Sequence, residues 1–238
     1  MRKIFNTALA SVAALFLFSC EPAEIGSTFN YFYDNIYTVN KHTVTAEDSD
    51  SVIRINNMDS TNFTTGDRAR MILRHYYDYN VMSKPHIDIY YAGEVIPTYP
   101  LSSKDSIDVS HYTTPFDSLY YYEFIDRYKI PVWVQKGRQN INISYFGAKE
   151  GAEFAMAVRG VNDDCVELDL LAKADGDVKT TRLLTFDISN IGDFLTSAQK
   201  SSFASKDSLR TRIYLKRKTK DGIKEINIIG GKFANPFK

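Results

Sequence analysis

Along most of the chain apolar and polar residues alternate with the two-residue period of half-buried strands, and no stretch sustains a helical period. From Thr28 to Val44 the alternation is broken but recognisable, carried by Phe29, Tyr31, Tyr33, Ile36, Tyr37 and Val39. The polar run Glu47-Asp48-Ser49-Asp50 predicts a turn before a strand at Val52-Ile53-Arg54-Ile55. Thr64-Thr65-Gly66-Asp67 predicts another turn, leading into a strand from Ala69 to Tyr76. Lys84-Pro85 marks a boundary, because proline cannot donate to a ladder, and Ile87-Asp88-Ile89-Tyr90 resumes the alternation. Four or five strands at hairpin-like spacing predict a small barrel over residues 28–110. Pro97 to Pro115 shows little periodicity and is expected to be a linker or a long connection.

The second half repeats the strand signal in shorter runs. Val132-Trp133-Val134, Ile141 to Phe146, Glu153 to Val158, Val166 to Leu170 and Leu183 to Phe186 are each bounded by turn residues. Asp221-Gly222, between Arg212–Lys216 and Ile223–Ile229, is the strongest hairpin signal in the chain. Short strands at this spacing predict a β-sandwich over residues 111–238. One short helix is expected between Asp187 and Gln199, capped by Asp187 or Ser189. The expected fold class is therefore all-β.

The N-terminus follows a different rule. Met1-Arg2-Lys3 is positive, and the uncharged run from Ile4 to Leu17 is shorter than the roughly 20 apolar residues of a permanent span, so it reads as an export signal. It ends in Leu17-Phe18-Ser19-Cys20, which resembles a bacterial lipobox. That resemblance implies removal of residues 1–19 and acylation of Cys20, which would hold the protein on a membrane because several acyl chains bind where one does not. Residues 20–27 then form a tether. Glu21 and Glu24 resemble the acidic signal that sends some lipoproteins to the cell surface. The periplasmic leaflet of the outer membrane and the cell surface both stay open.

Charge removes one class of partner. The 29 basic and 29 acidic residues balance, and loss of Arg2 and Lys3 with the signal leaves a slightly acidic body without the electrostatic means to hold nucleic acid. With Cys20 acylated, Cys165 has no internal partner, and its acidic setting (Asp163, Asp164, Glu167) disfavours the thiolate. It is expected to pack as a small apolar residue at a strand start.

Recognisable catalytic chemistry is sparse. There is no G-x-S-x-G pentad and no glycine loop for a phosphate. His42, His75, His86 and His111 are scattered, and only His75 and His86 could meet across a hairpin, so neither a metal nor another cofactor is expected. Asp163, Asp164, Glu167 and Asp169 are candidate carboxylates for a cryptic hydrolase, yet Glu167 and Asp169 alternate with Val166, Leu168 and Leu170 as the wet face of a strand would. The chain is expected not to be an enzyme. The remaining feature is tyrosine: Tyr76, Tyr77 and Tyr79, then Tyr90 and Tyr91, then Tyr120, Tyr121 and Tyr122. Adjacent strand residues point to opposite faces, so each pair sets one ring outward. Outward tyrosines suit a protein interface or stacking on sugars, although tyrosine also favours strands for its own packing reasons.

The order of these pieces resembles the NigD-like lipoproteins. Gly66-Asp67-Arg68 leads into an apolar strand, Ile87-Asp88-Ile89 follows, and then come Val132-Trp133-Val134 and Asn140 to Tyr145. Val166 to Leu170 leads through Asp175-Gly176-Asp177 to Leu184 to Ile188, and the chain closes on Tyr214-Leu215-Lys216 and Asp221-Gly222. The resemblance runs from about Asp50 to Gly230. It implies a lipidated cysteine, an OB-like N-terminal barrel and a C-terminal β-sandwich, and it supplies no catalytic or ligand-binding residues. It also implies a possible bacteriocin-immunity role, as the alternative to an envelope protein that binds a protein or glycan.

Overall fold

The structure, a computed structural model, describes residues 28–49, 51–78, 86–121, 131–163 and 165–238. The signal, Cys20 and its tether, Tyr79, Tyr122 and Asp164 lie outside these residues. For Tyr76 and Tyr77 the backbone alone is described.

The first five strands are β1 (Thr28–Asn40), β2 (Thr43–Ala46), β3 (Val52–Arg54), β4 (Arg68–Asp78) and β5 (His86–Val95). They pair antiparallel in the order β3-β2-β1-β4-β5. Just past β3 the two edges meet. The Asn56 amide donates to the Ile87 carbonyl at 2.9 Å, and the Asn57 side chain both donates to and accepts from the Ile89 backbone, at 3.1 and 2.7 Å. A five-strand sheet of this order with joined ends is an OB-like barrel. Its core is the inward half of the alternation, with Tyr37, Val39, Val44, Met71 and Leu73 all buried.

The remaining strands are β6 (Thr98–Ser103), β7 (Phe116–Leu119), β8 (Val132–Gln135), β9 (Arg138–Phe146), β10 (Glu153–Asn162), β11 (Cys165–Lys173), β12 (Lys179–Asp187), β13 (Ser208–Thr219) and β14 (Gly222–Ala234). Seven of them run β11-β10-β6-β12-β9-β7-β13, and parallel pairing of β11 with β13 closes the circle. The all-β class expected from the sequence is what the structure has. The strand spacing pointed to two facing sheets, whereas these strands close into one barrel, with β8 and β14 added at its edges. Val166, Leu168 and Leu170 point into its core while Glu167 and Asp169 stay half-exposed, as their alternation predicts. Cys165 is buried at the first position of β11.

Two local expectations need correction. Strand β6 lies inside the segment read as a linker. It runs parallel to both neighbours, pairing Thr98–Pro100 with β12 and Leu101–Ser103 with β10. Pro100 falls at the changeover, where a missing amide donor interrupts neither ladder midway. The helix α1 (Ser197–Phe203) begins later than expected, because Thr196 and Gln199 form a reciprocal capping box. Asp187 instead accepts from the Ser189 amide and hydroxyl, at 2.9 and 2.6 Å, ahead of a 3-10 turn at Ile191–Phe194. The Asp221-Gly222 hairpin is present: Thr219 pairs with Gly222, whose φ of 106° suits glycine.

A buried polar joint ties the two barrels together. Arg68 lies 2.5 Å from Glu47, with both side chains under 4% exposed. The same guanidinium donates to Thr185 Oγ1 and Asn140 Oδ1, each at 2.8 Å. Lys136 donates to the carbonyls of Ala46 and Ser49, at 3.1 and 2.5 Å. All these contacts fall near the Asn40 end of β1, so the Thr28 end points away from the second barrel.

Candidate functional site

Among the described residues the tyrosines divide between the two barrels. Tyr90 and Tyr91, on β5, are 63% and 50% exposed, and the Tyr90 ring meets Phe32 edge-on at 5.1 Å. Tyr120 and Tyr121 follow β7 on the second barrel and are also exposed. There Lys179 is 2.5 Å from Asp117 and stands 5.4 Å over the Tyr120 ring. The hydrogen bond to Asp117 raises the Lys179 pKa, and the one from Lys179 lowers that of the Tyr120 phenol. In β4, backbone register sets Tyr76 opposite Asn30 and Tyr77 opposite Phe29.

Of the carboxylates proposed for hydrolysis, Asp163, Glu167 and Asp169 lie among the described residues. Glu167 accepts from the Tyr214 hydroxyl at 2.9 Å and faces Arg212 at 3.4 Å, while Asp163 occupies an exposed turn with a positive φ. His75 and His86 are not cross-strand partners, since His75 pairs with Ile87 and His86 with Tyr76. Burial lowers the His75 pKa. Among the described residues no three His, Cys, Asp or Glu side chains are grouped to hold a metal.

The concavity best furnished for recognition was not among the sequence candidates. Where β6 changes partners, a cleft of about 460 Å³ opens between it and β10. Phe154 floors it, its ring edge-on to Tyr145 at 5.1 Å. Tyr112 and His111, themselves edge-on at 5.5 Å, form one wall. Asp108 accepts from the Ser110 amide and hydroxyl at 3.0 and 2.6 Å, which fixes the turn carrying His111. The Lys173 ammonium donates to Glu153 at 3.1 Å and to His111 Nε2 at 2.8 Å, so that nitrogen is the acceptor. Only the loop position and the Ser, Pro, Asp and His content of this segment could have flagged it.

Both carboxylates of the cleft are held as anions. The Lys173 hydrogen bond and charge keep Glu153 below the usual carboxylate range, and the Ser110 hydrogen bonds do the same for Asp108. A group with a depressed folded pKa contributes stability above its unfolded pKa and loses it as pH falls through the folded value. Titration of Glu153 followed by carbon NMR is therefore expected to show a midpoint below that of a free glutamate. Lys173→Met should move it upward, and an unmoved midpoint would remove Lys173 as the cause.

A second hollow, of about 340 Å³, lies at the mouth of the first barrel between Tyr33, Asn35, Ile53, His75 and Ile87. Among the described residues no helix is long and apolar enough to cross a membrane.

No family model matches the chain, and no curated protein matches it. Solved structures do. A "putative lipoprotein" of Bacteroides fragilis aligns over 87% of this chain and 100% of its own, with a TM-score of 0.61 at 12% identity. A "putative toxin related protein" of Parabacteroides distasonis aligns over 87% and 96%, with a TM-score of 0.54 at 14% identity. A protein of unknown function from Bacteroides vulgatus aligns over 87% and 92%, with a TM-score of 0.50 at 12% identity. At these identities the likeness is one of fold: the two-part all-β architecture is shared across nearly the whole of each neighbour.

Proposed function

We propose that this chain is a membrane-anchored, non-catalytic lipoprotein of the cell envelope, NigD-like in kind, that binds a protein or glycan partner in the cleft between β6 and β10. The anchor is the acylated Cys20, on the outer membrane in its periplasmic leaflet or at the cell surface. The lipobox-like Leu17-Phe18-Ser19-Cys20 supports this, as does the shared fold with a protein described as a putative lipoprotein.

One observation carries the binding role. The cleft combines the half-buried Tyr112 and the buried Phe154 with carboxylates already engaged by fixed donors. A general acid at neutral pH needs a raised carboxyl pKa, and Glu153 and Asp108 are shifted the other way. Pre-formed hydrogen-bonding groups beside aromatic surface are what a recognition site requires. The mixed lining suits a glycan or a polar peptide segment better than an apolar small molecule.

The test is photo-crosslinking in the native cells, with a benzophenone amino acid in place of Tyr112 and, as control, of Lys200 on α1. The expected result is a discrete adduct from position 112, a protein by mass spectrometry or a glycan by its sugar composition, and none from position 200. Equal labelling at both positions, or none at 112, would refute the cleft as the binding site.

A further inference from the structure

Aromatic residues concentrate at one end of the first barrel, and they lie on both faces of the sheet there. Phe32 and Tyr90 meet on one face, 40% and 63% exposed. Tyr31 and Tyr33 stand on the other, 52% and 44% exposed, although further along that face Asn35 and Tyr37 are buried. Backbone register adds a Phe29–Tyr77 cross-strand pair still nearer the strand end. A solvent-facing sheet has no packing reason to show aromatic rings on both sides, because only one face can serve a core.

The direction of this end decides what covers it. The contacts to the second barrel cluster at the opposite end of β1, through Arg68, Glu47 and Ala46. The aromatic end is also where the tether joins. Only eight residues, Cys20 to Ser27, precede β1, and whatever its conformation such a segment spans at most about 29 Å. An acylated Cys20 thus keeps the Thr28 end of β1 within about 29 Å of the bilayer. Among the described residues there, Asp88 is paired, with Arg74 at 3.5 Å. Tyrosine and tryptophan are the residues that settle at the headgroup level of membranes, with an apolar ring body and a wet polar tip.

We infer that the aromatic end of the first barrel, from Tyr31–Tyr33 across to Tyr90, is a membrane-contact surface that rests among the lipid headgroups. It orients the molecule upright, with the second barrel and its cleft directed away from the bilayer. The inference rests on the proposed anchoring at Cys20 and assigns a use to tyrosines that the partner-binding cleft does not employ.

The experiment uses the full acylated protein in vesicles of phosphatidylethanolamine and phosphatidylglycerol, with and without lipids brominated near the headgroup end of the acyl chains. Tyr31→Trp and Tyr90→Trp are compared with Tyr121→Trp, each read as the fluorescence gained over the parent, which carries Trp133. Quenching of the first two at least twofold stronger than that of Tyr121→Trp is the expected result. The two positions lie on different strands, so a local disturbance at one leaves the other informative. Acylated protein in which all three are quenched alike would overturn the contact surface and release the aromatic end for a protein partner, leaving the anchor intact. Mass spectrometry showing an N-terminus without acyl chains would overturn the anchoring, and the membrane placement with it.

Discussion

Arg68→Met is expected to destabilise the protein by about 3–5 kcal/mol, because it leaves the Glu47 carboxylate buried without its main counter-charge. Glu47 is 1% exposed at its side chain, so water cannot take over the role of the guanidinium. Arg138, at 3.4 Å, is a second cation near it, and its presence places the cost toward the lower end of that range. The loss is wider than one ion pair. Asn140 and Thr185 each give up a charge-assisted hydrogen bond from Arg68, and both are fully buried. The double variant Arg68→Met/Glu47→Leu should recover a substantial part of the loss, since an apolar pair of similar volume carries no desolvation penalty. Chemical denaturation of the three proteins checks this. A single variant within 1 kcal/mol of the parent would show that the joint is solvated, and a double variant worse than the single would show that the carboxylate was not the source of the cost.

That joint marks the limit of what the sequence discloses. Arg68 looks like an ordinary strand residue, and its partner Thr185 lies 117 positions away. No local pattern announces a contact of that separation. The strands themselves were legible wherever one face meets a core and the other meets water. Val166 to Leu170 alternates in sequence and in burial alike, and Asp221-Gly222 brings the positive φ its hairpin turn needs. Strand β6 was hidden because Leu101 is its one fully buried residue, and because Pro100 signals against a central strand. Its identity comes from β10 and β12, which leave a gap that six residues fill. The cleft was hidden for the same reason, since it exists only where β6 leaves one partner for the other. Each adjacent tyrosine pair was expected to set one ring outward, whereas Tyr90 and Tyr91 are both exposed where the β4–β5 register shifts, and no spacing in the sequence could show that the two groups sit on different barrels.

Phe186→Ala should cost about 3–5 kcal/mol, the range for emptying a buried phenylalanine site that cannot collapse. Phe186 is fully buried on β12, directly opposite Tyr99 of β6, and their rings lie 5.5 Å apart. Tyr99 in turn meets Phe154 edge-on at 6.0 Å, and Phe154 is the floor of the cleft. The ladder alone holds β6 weakly, with three residues paired on each side. The aromatic row Phe186–Tyr99–Phe154 therefore fixes its position. Removing the inner ring should free Tyr99 to move and raise amide exchange across Leu101–Ser103 more than across the long β13–β14 hairpin. Phe186→Leu keeps most of the volume and should cost far less, by about 1 kcal/mol. Trp133, the single tryptophan, sits on β8 of the same barrel and reports the unfolding transition. Uniform acceleration of exchange throughout the barrel would mean that β6 has no separate weakness. Selective acceleration in β6 would show that the walls of the binding cleft are set by the barrel core, so that partner affinity should fall in Phe186→Ala although no side chain lining the cleft has changed.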